Sequence, residues 1–140
     1  MQTLISDIDR LDNAVASLQQ HFASLTRAHG AGNIDAVSVS DPAGDGSIDV
    51  TFYGVLVKFR LLYTYTVDSE PIGRVLVLHC HSTFGEPVQA QLGEFTLNAQ
   101  GFTNLPPNEA GKVPSLPHDA ARIALTYLRK ALNANASLSG

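Results

Sequence analysis

The stretch LISDIDRLDNAVASLQQHFASL, residues 4–25, decides how this chain begins to fold. Its large apolar side chains recur at alternating steps of four and three residues, which places them along one stripe of an α-helix. The stripe consists of Leu4, Ile8, Leu11, Val15, Leu18, Phe22 and Leu25. Gly30 and Gly32 follow and favour an end to the helix. The sequence therefore predicts a long amphipathic N-terminal helix.

The same stripe has two interpretations. In the first, the stripe is a coiled-coil heptad, with leucines at the d positions and apolar residues at most a positions. This pattern is close to that of parallel two-stranded coiled coils, so the helix would form a homodimer. The flanking positions lack complementary Glu and Lys pairs, and Ala14 and Ala28 widen the stripe towards one side, as in a helix that packs on a sheet. We favour packing on a sheet over self-association.

Between residues 34 and 103 the apolar period changes from 3.6 to 2, and turn-forming residues recur at short intervals. This pattern is typical of an antiparallel meander. We expect strands over residues 34–40, 47–53, 55–66, 74–82 and 88–92, and a short hairpin over residues 93–103. The phase of the alternation changes at Gly54, which predicts a bulge or a tight bend there.

A proline-containing loop follows the predicted sheet. Residues 104–117 hold four prolines, and the last of them, Pro117, suits the first turn of a helix. The apolar face of that second helix is predicted to consist of Ala120, Ala121, Ala124, Leu125, Leu128 and Leu132, and residues 133–140 are predicted to form a frayed tail. The prediction is a single α+β domain over residues 1–140: a long N-terminal helix, a five- to six-stranded antiparallel sheet, and a C-terminal helix packed on the same face.

Composition narrows the functional classes. Apolar residues make up 44% of the 140 residues, and no run approaches the twenty apolar residues of a membrane span. The net charge is −4, and the first 53 residues hold seven Asp against two Arg, which disfavours nucleic acid and anionic membranes as partners. Arg122, Arg129 and Lys130 form a small basic strip on the second helix. No secretion signal is expected, and the single cysteine, Cys80, fits a reducing compartment, so we expect a cytoplasmic protein.

One group of residues has the spacing of a metal-binding motif. In order, it consists of Gly73, His79, His81, Glu86 and Gly93, with five, one, four and six residues between successive members. These 21 residues resemble the first motif of the cupin barrels. The resemblance implies His79, His81 and Glu86 as ligands of a divalent metal in a cupin-like metal-dependent enzyme. A cupin's second motif supplies another His, whereas His118, the nearest candidate here, stands at a different spacing.

No Gly-rich phosphate loop, GxSxG elbow or CxxC pair is present. We therefore expect a non-enzymatic protein-binding module of adaptor, chaperone, immunity or inhibitor type, with no cofactor. It would act through the Pro-rich loop and the polar face of the sheet, on which we expect Asp49, Thr51, Tyr53, Lys58, Arg60, Thr64, His79, His81, Gln89 and Gln91. The predicted partner-binding residues are Tyr53, Lys58, Arg60, His79, His81, Pro106, Pro107 and Lys112.

Two predictions complete this interpretation. Cys80 is predicted to face the core with Leu76 and Leu78, away from both neighbouring histidines, so that neither can act as a base for its thiol. A small-molecule binder with a pocket between helix and sheet is the remaining alternative to protein binding and metal catalysis.

Overall fold

The computed structural model describes residues 2–28, 36–40, 47–65, 70–83, 85–107 and 109–139. Its elements follow in the order α1 (Gln2–Phe22), a 3₁₀ helix (Ala23–Ala28), β1 (Val37–Val39), β2 (Ile48–Phe52), β3 (Val55–Tyr65), β4 (Pro71–Thr83), β5 (Glu86–Leu97) and α2 (Leu116–Ser139). The strands form one antiparallel sheet in the order of the chain. The predicted α+β class and antiparallel meander are thus confirmed.

A two-residue turn explains the change of phase at Gly54. Tyr53 and Gly54 both have positive φ angles, 46° and 81°, and Phe52 pairs directly with Val55. Two successive residues with positive φ are typical of the type I′ turn, whose twist matches that of the flanking strands. The tight bend is confirmed, and Tyr53 lies at the hairpin tip with 82% of its surface exposed, rather than on a sheet face.

β5 is one strand of 12 residues, although the sequence predicted a short strand followed by a hairpin. The register between β4 and β5 shifts at Val77 and Leu78, which pair with Gly93 and Gln91 respectively, so Leu92 is an extra residue on β5. Such a bulge changes which side chains face the core and disguises the strand in an alternation pattern. The turn expected around residues 98–101 is present, because the amide of Gly101 donates to the carbonyl of Asn98 at 2.9 Å.

The core lies against one face of the sheet, which we call the inner face. On β3, Val57 and Phe59 are fully buried, and so are Val75 and Val77 on β4. The end of the N-terminal helical region and α2 contribute side chains to the same cluster, including Leu18, Phe22, Leu25, Leu116, Ala124, Tyr127 and Leu128. The side chains of Leu4, Ile8 and Leu11 lie outside the described residues. Burial of each large aliphatic or aromatic side chain contributes about 1.5–3 kcal/mol.

α2 buries most of the predicted face, because Ala120, Ala124 and Leu128 are buried, but the buried face is shifted to include Ile123 and Tyr127 and to leave out Leu132. Ile123 and Tyr127 are 4% and 3% exposed, whereas Leu132 is 40% exposed. At the start of the helix the amide of Ser115 donates to the carboxylate of Asp119 at 3.0 Å, and the amide of Asp119 donates to the Ser115 carbonyl at 2.8 Å. α2 continues to Ser139, so residues 133–139, predicted to be a frayed tail, are helical.

Candidate functional site

The face of the sheet opposite the core carries a mixed polar and aliphatic surface, which we call the outer face. On β3 and β4 it consists of Leu56, Lys58, Arg60, Leu62, Arg74, Leu76, Leu78 and Cys80, which alternate with the buried inner residues. None of these eight side chains is fully buried, and the four leucines are half-buried. The outer face is therefore the side of β3 and β4 that is accessible to solvent.

Charged groups surround the leucines. Lys58 Nζ lies 4.0 Å from Asp49 Oδ1 on the neighbouring strand, and the guanidinium of Arg74 donates to the carboxylate of Glu94. In the part of the chain that the structure describes, Arg60 has no carboxylate within ion-pair distance. The outer face thus has one unneutralised cation, Arg60, opposite Leu76 across the β3–β4 ladder.

The histidines do not share this face, so the prediction that His79 and His81 lie beside Lys58 and Arg60 is wrong. His79 pairs with the buried Val57 on β3 and is 1% exposed, which places its ring among the core side chains. Cys80, expected in the core with Leu76 and Leu78, lies with them on the outer face instead. Burial raises the pKa of the Cys80 thiol, with Lys58 opposing, so the thiol is a poor nucleophile.

His79 and His81 still lie together, with ring centroids 4.9 Å apart. Burial, together with the nearby His81, lowers the pKa of His79 and favours its neutral form. Nδ1 of His81 is buried without a hydrogen-bond partner in the described chain. Glu86 is exposed, and no group of three His, Cys, Asp or Glu side chains among the described residues has the geometry of a metal site.

Packing accounts for both glycines of the cupin-like spacing. A Cβ atom at Gly73 would lie 2.7 Å from Cδ1 of Leu61, and Gly93 lies against the ring of Tyr127. The fold that the resemblance implies also differs from the one present, because the described strands form a single open sheet and not a barrel.

The Pro-rich loop is closed at its base. Both the amide and the hydroxyl of Thr103 donate to the carbonyl of Pro114, at 3.0 and 2.9 Å, and the amide of Leu116 donates to the carbonyl of Gly101 at 2.9 Å. Pro106, Pro107 and Lys112 extend beyond this base and are exposed. The predicted loop residues therefore lie on the surface, at the end of an anchored segment.

The preceding turn is tied to α1. Nε2 of His21 lies 3.1 Å from the carbonyl oxygen of Ala99, within hydrogen-bond distance. The base of the Pro-rich loop is thereby held between the end of α1 and the start of α2.

A cavity of about 270 Å³ lies between the Pro-rich loop and α2, and we call it the loop–helix cavity. Leu105, Pro106, Pro114 and Ile123 form its apolar wall, while Arg122, Thr126 and Lys130 border it from α2. The basic strip contained two of these residues, but the sequence did not reveal that the loop would close over them. Spacing by four residues, at 122, 126 and 130, was the available signal, because it aligns side chains on one side of a helix.

Comparisons of this chain with protein-family models, curated proteins and solved structures gave no match. Among the described residues, neither helix combines the length and the apolarity that crossing a membrane requires. The outer face, the Pro-rich loop and the loop–helix cavity are the candidate functional surfaces of the described chain.

Proposed function

We propose that this protein is a non-enzymatic protein-binding module of adaptor, chaperone, immunity or inhibitor type, and that the outer face is its docking surface. The observation that carries the proposal is the set of half-buried leucines, Leu56, Leu62, Leu76 and Leu78, on a sheet face that the core does not use. Apolar centres with polar rims are characteristic of protein interfaces.

The charges on the outer face suggest the chemistry of the partner. Arg60 has no carboxylate partner among the described residues, and it is exposed beside the leucines. Arg is enriched at interfaces because its planar guanidinium can bind a carboxylate in two places while its stem covers apolar surface. We therefore propose a partner with an apolar centre and an acidic residue at the rim.

The Pro-rich loop is proposed as the second part of the docking surface. Prolines restrict the unbound conformations of a loop and so reduce the entropy lost when it docks. Pro106, Pro107 and Lys112 are exposed on the anchored segment, which is compatible with this role.

Two finer proposals accompany the function. The first is that the N-terminal stripe packs on the inner face rather than forming a homodimer seam, which the complete burial of Leu18 and Leu25 in the same cluster as the strands supports. The cytoplasm is the proposed compartment, since the only cysteine is a free thiol.

The test compares two charge reversals of equal size. Arg60→Glu should abolish capture of specific proteins from lysate, whereas Arg129→Glu, which changes an exposed arginine on α2, should retain it. Both variants should melt within about 2 °C of the wild type, because surface substitutions usually change stability by less than about 0.5 kcal/mol.

Two further variants sharpen the comparison. Reversal of both Lys58 and Arg60 to Glu, and replacement of residues 106–112 by a Gly/Ser segment, should each weaken capture of the same proteins. If all variants capture those proteins at wild-type levels, the docking surface is elsewhere, and the acidic side of α1 becomes the next surface to test.

A further inference from the structure

The loop–helix cavity is a second candidate binding site, separate from the outer face. Its volume of about 270 Å³ falls just below the range of roughly 300–1,000 Å³ that is usual for drug-sized ligands. Leu105, Pro106 and Pro114 cover it from the loop, and Ile123 lies at its floor on α2. A ligand of this cavity is therefore small and has an apolar part.

Two cations border the same cavity. Arg122 and Lys130 lie two turns apart on α2, and both flexible side chains line the one space. Lys130 Nζ lies 5.0 Å from the centroid of the Tyr127 ring, another member of the lining. Within the described ranges, neither cation has a carboxylate at ion-pair distance. The cavity thus combines an apolar wall with two cations and one carboxylate, that of Asp119.

Two other polar side chains of the lining, Asp119 and Thr126, form hydrogen bonds within α2 and its start. Asp119 accepts a hydrogen bond from the amide of Ser115 at 3.0 Å, so its carboxylate serves the start of α2. The hydroxyl of Thr126 donates to the carbonyl of Arg122 at 2.8 Å. The groups that remain to attract a charged ligand are the two cations.

We propose that the loop–helix cavity binds a small amphipathic carboxylate, with its apolar part against Leu105 and Ile123 and its carboxylate facing Arg122 and Lys130. Charge-assisted hydrogen bonds to a carboxylate are stronger than neutral ones, and both cations are exposed where such a group can reach them. This proposal does not depend on protein binding at the outer face.

The test uses 3-phenylpropionate as the probe, with 3-phenylpropanol as its neutral counterpart and acetate as an anion without an apolar part. In a titration followed by amide NMR shifts, 3-phenylpropionate should cause saturable shifts at Leu105, Arg122, Thr126 and Lys130. The alcohol and acetate should each bind at least about tenfold more weakly, a difference of about 1.4 kcal/mol.

Single substitutions test whether Arg122 and Lys130 provide the charge that binds the probe. Arg122→Gln and Lys130→Gln should each weaken binding of 3-phenylpropionate about threefold to tenfold, the range expected for loss of one charged contact. Arg129→Gln removes a neighbouring cation outside the cavity lining and should leave the affinity unchanged, as should Arg60→Glu on the outer face. Equal binding of the alcohol, equal losses in Arg129→Gln, or no saturable shifts at these amides would overturn the proposal.

Discussion

Gly93 on β5 lies directly against the ring of Tyr127 on α2: a Cβ atom at position 93 would stand 3.2 Å from Cε1 of that ring. Two aromatic rings contact it from other sides. Its neighbours are Phe59, edge-on at a centroid distance of 5.8 Å, and Phe95, stacked at 6.1 Å. Gly93 therefore helps to set how closely α2 approaches the sheet.

The first prediction concerns this contact. Gly93→Ala should lower the free energy of unfolding by about 1–3 kcal/mol, because overpacking a filled core forces side chains from their preferred rotamers. Urea denaturation measures the change. Gly73→Ala should cost less, although its Cβ would lie 2.7 Å from Leu61, because the atom it meets is the end of a flexible side chain. A Gly93→Ala protein as stable as the wild type would show that α2 can shift freely.

The second prediction concerns acid stability. Burial lowers the pKa of folded His79 below the value of about 6.5 that it has in the unfolded chain. Between these two values the unfolded chain binds a proton that the folded chain does not, so stability falls as the pH is lowered. The loss is absent well above pH 6.5, grows below it, and is complete once the pH passes below the folded pKa.

Urea denaturation at pH 7.5 and 5.5 tests this expectation. The wild type should lose more stability between the two values than His79→Leu, which fills the same apolar site without a titrating group. His118→Gln, at an exposed position on α2, should keep the wild-type loss. The explanation fails if His79→Leu and the wild type respond to pH alike.

The third prediction concerns the N-terminal stripe. Leu18 is fully buried, so Leu18→Asp should destabilise the monomer by several kcal/mol through an unpaired buried charge. Leu11→Asp should act in the same way if the stripe packs on the sheet along its length. Gln19→Asp, on the exposed side of the same helix, is the control and should be nearly neutral. A folded Leu18→Asp protein that has lost only its self-association would identify the stripe as a dimer seam.

The fourth prediction concerns metal. Elemental analysis of protein purified without chelator should find no stoichiometric Zn, Fe, Mn or Ni, because His79 points into the core while Glu86 is exposed at the first position of β5. One equivalent of metal, lost in a His79→Ala/His81→Ala variant, would instead favour the cupin-like interpretation.

The alternation of apolar and polar residues could predict the strands, but not which face of each strand points towards the core. In β4 both sets of alternate residues are largely apolar, with Val75 and Val77 on one side and Leu76 and Leu78 on the other. The polarity of the two histidines favours the surface, which predicts that Cys80 faces the core and His79 faces outward. Pairing with β3 gives the opposite orientation of β4, because His79 is opposite the buried Val57. Such pairing is a long-range property that a single segment does not reveal.

The buried faces of the helices could also be predicted only in part. The apolar spacing predicted that residues 18, 22 and 25 lie on one stripe of an α-helix; all three are buried, but Leu25 belongs to the 3₁₀ helix that follows α1. The inner face of α2 was assigned from alanines and leucines, which overlooked Tyr127 because a tyrosine is compatible with either surface or core. The loop–helix cavity was beyond prediction, since it depends on how residues 105–114 fold back onto α2.

The hydrogen bonds that join Thr103 to Pro114 and Gly101 to Leu116 close the Pro-rich loop at its base. With its ends fixed in this way, the segment between them can change in length without moving either element that it connects. Doubling that length would cost about 0.6 kcal/mol in closure entropy. The fold therefore supplies a ready insertion point, where an epitope or a foreign recognition sequence can be grafted while the sheet and both helices stay as they are.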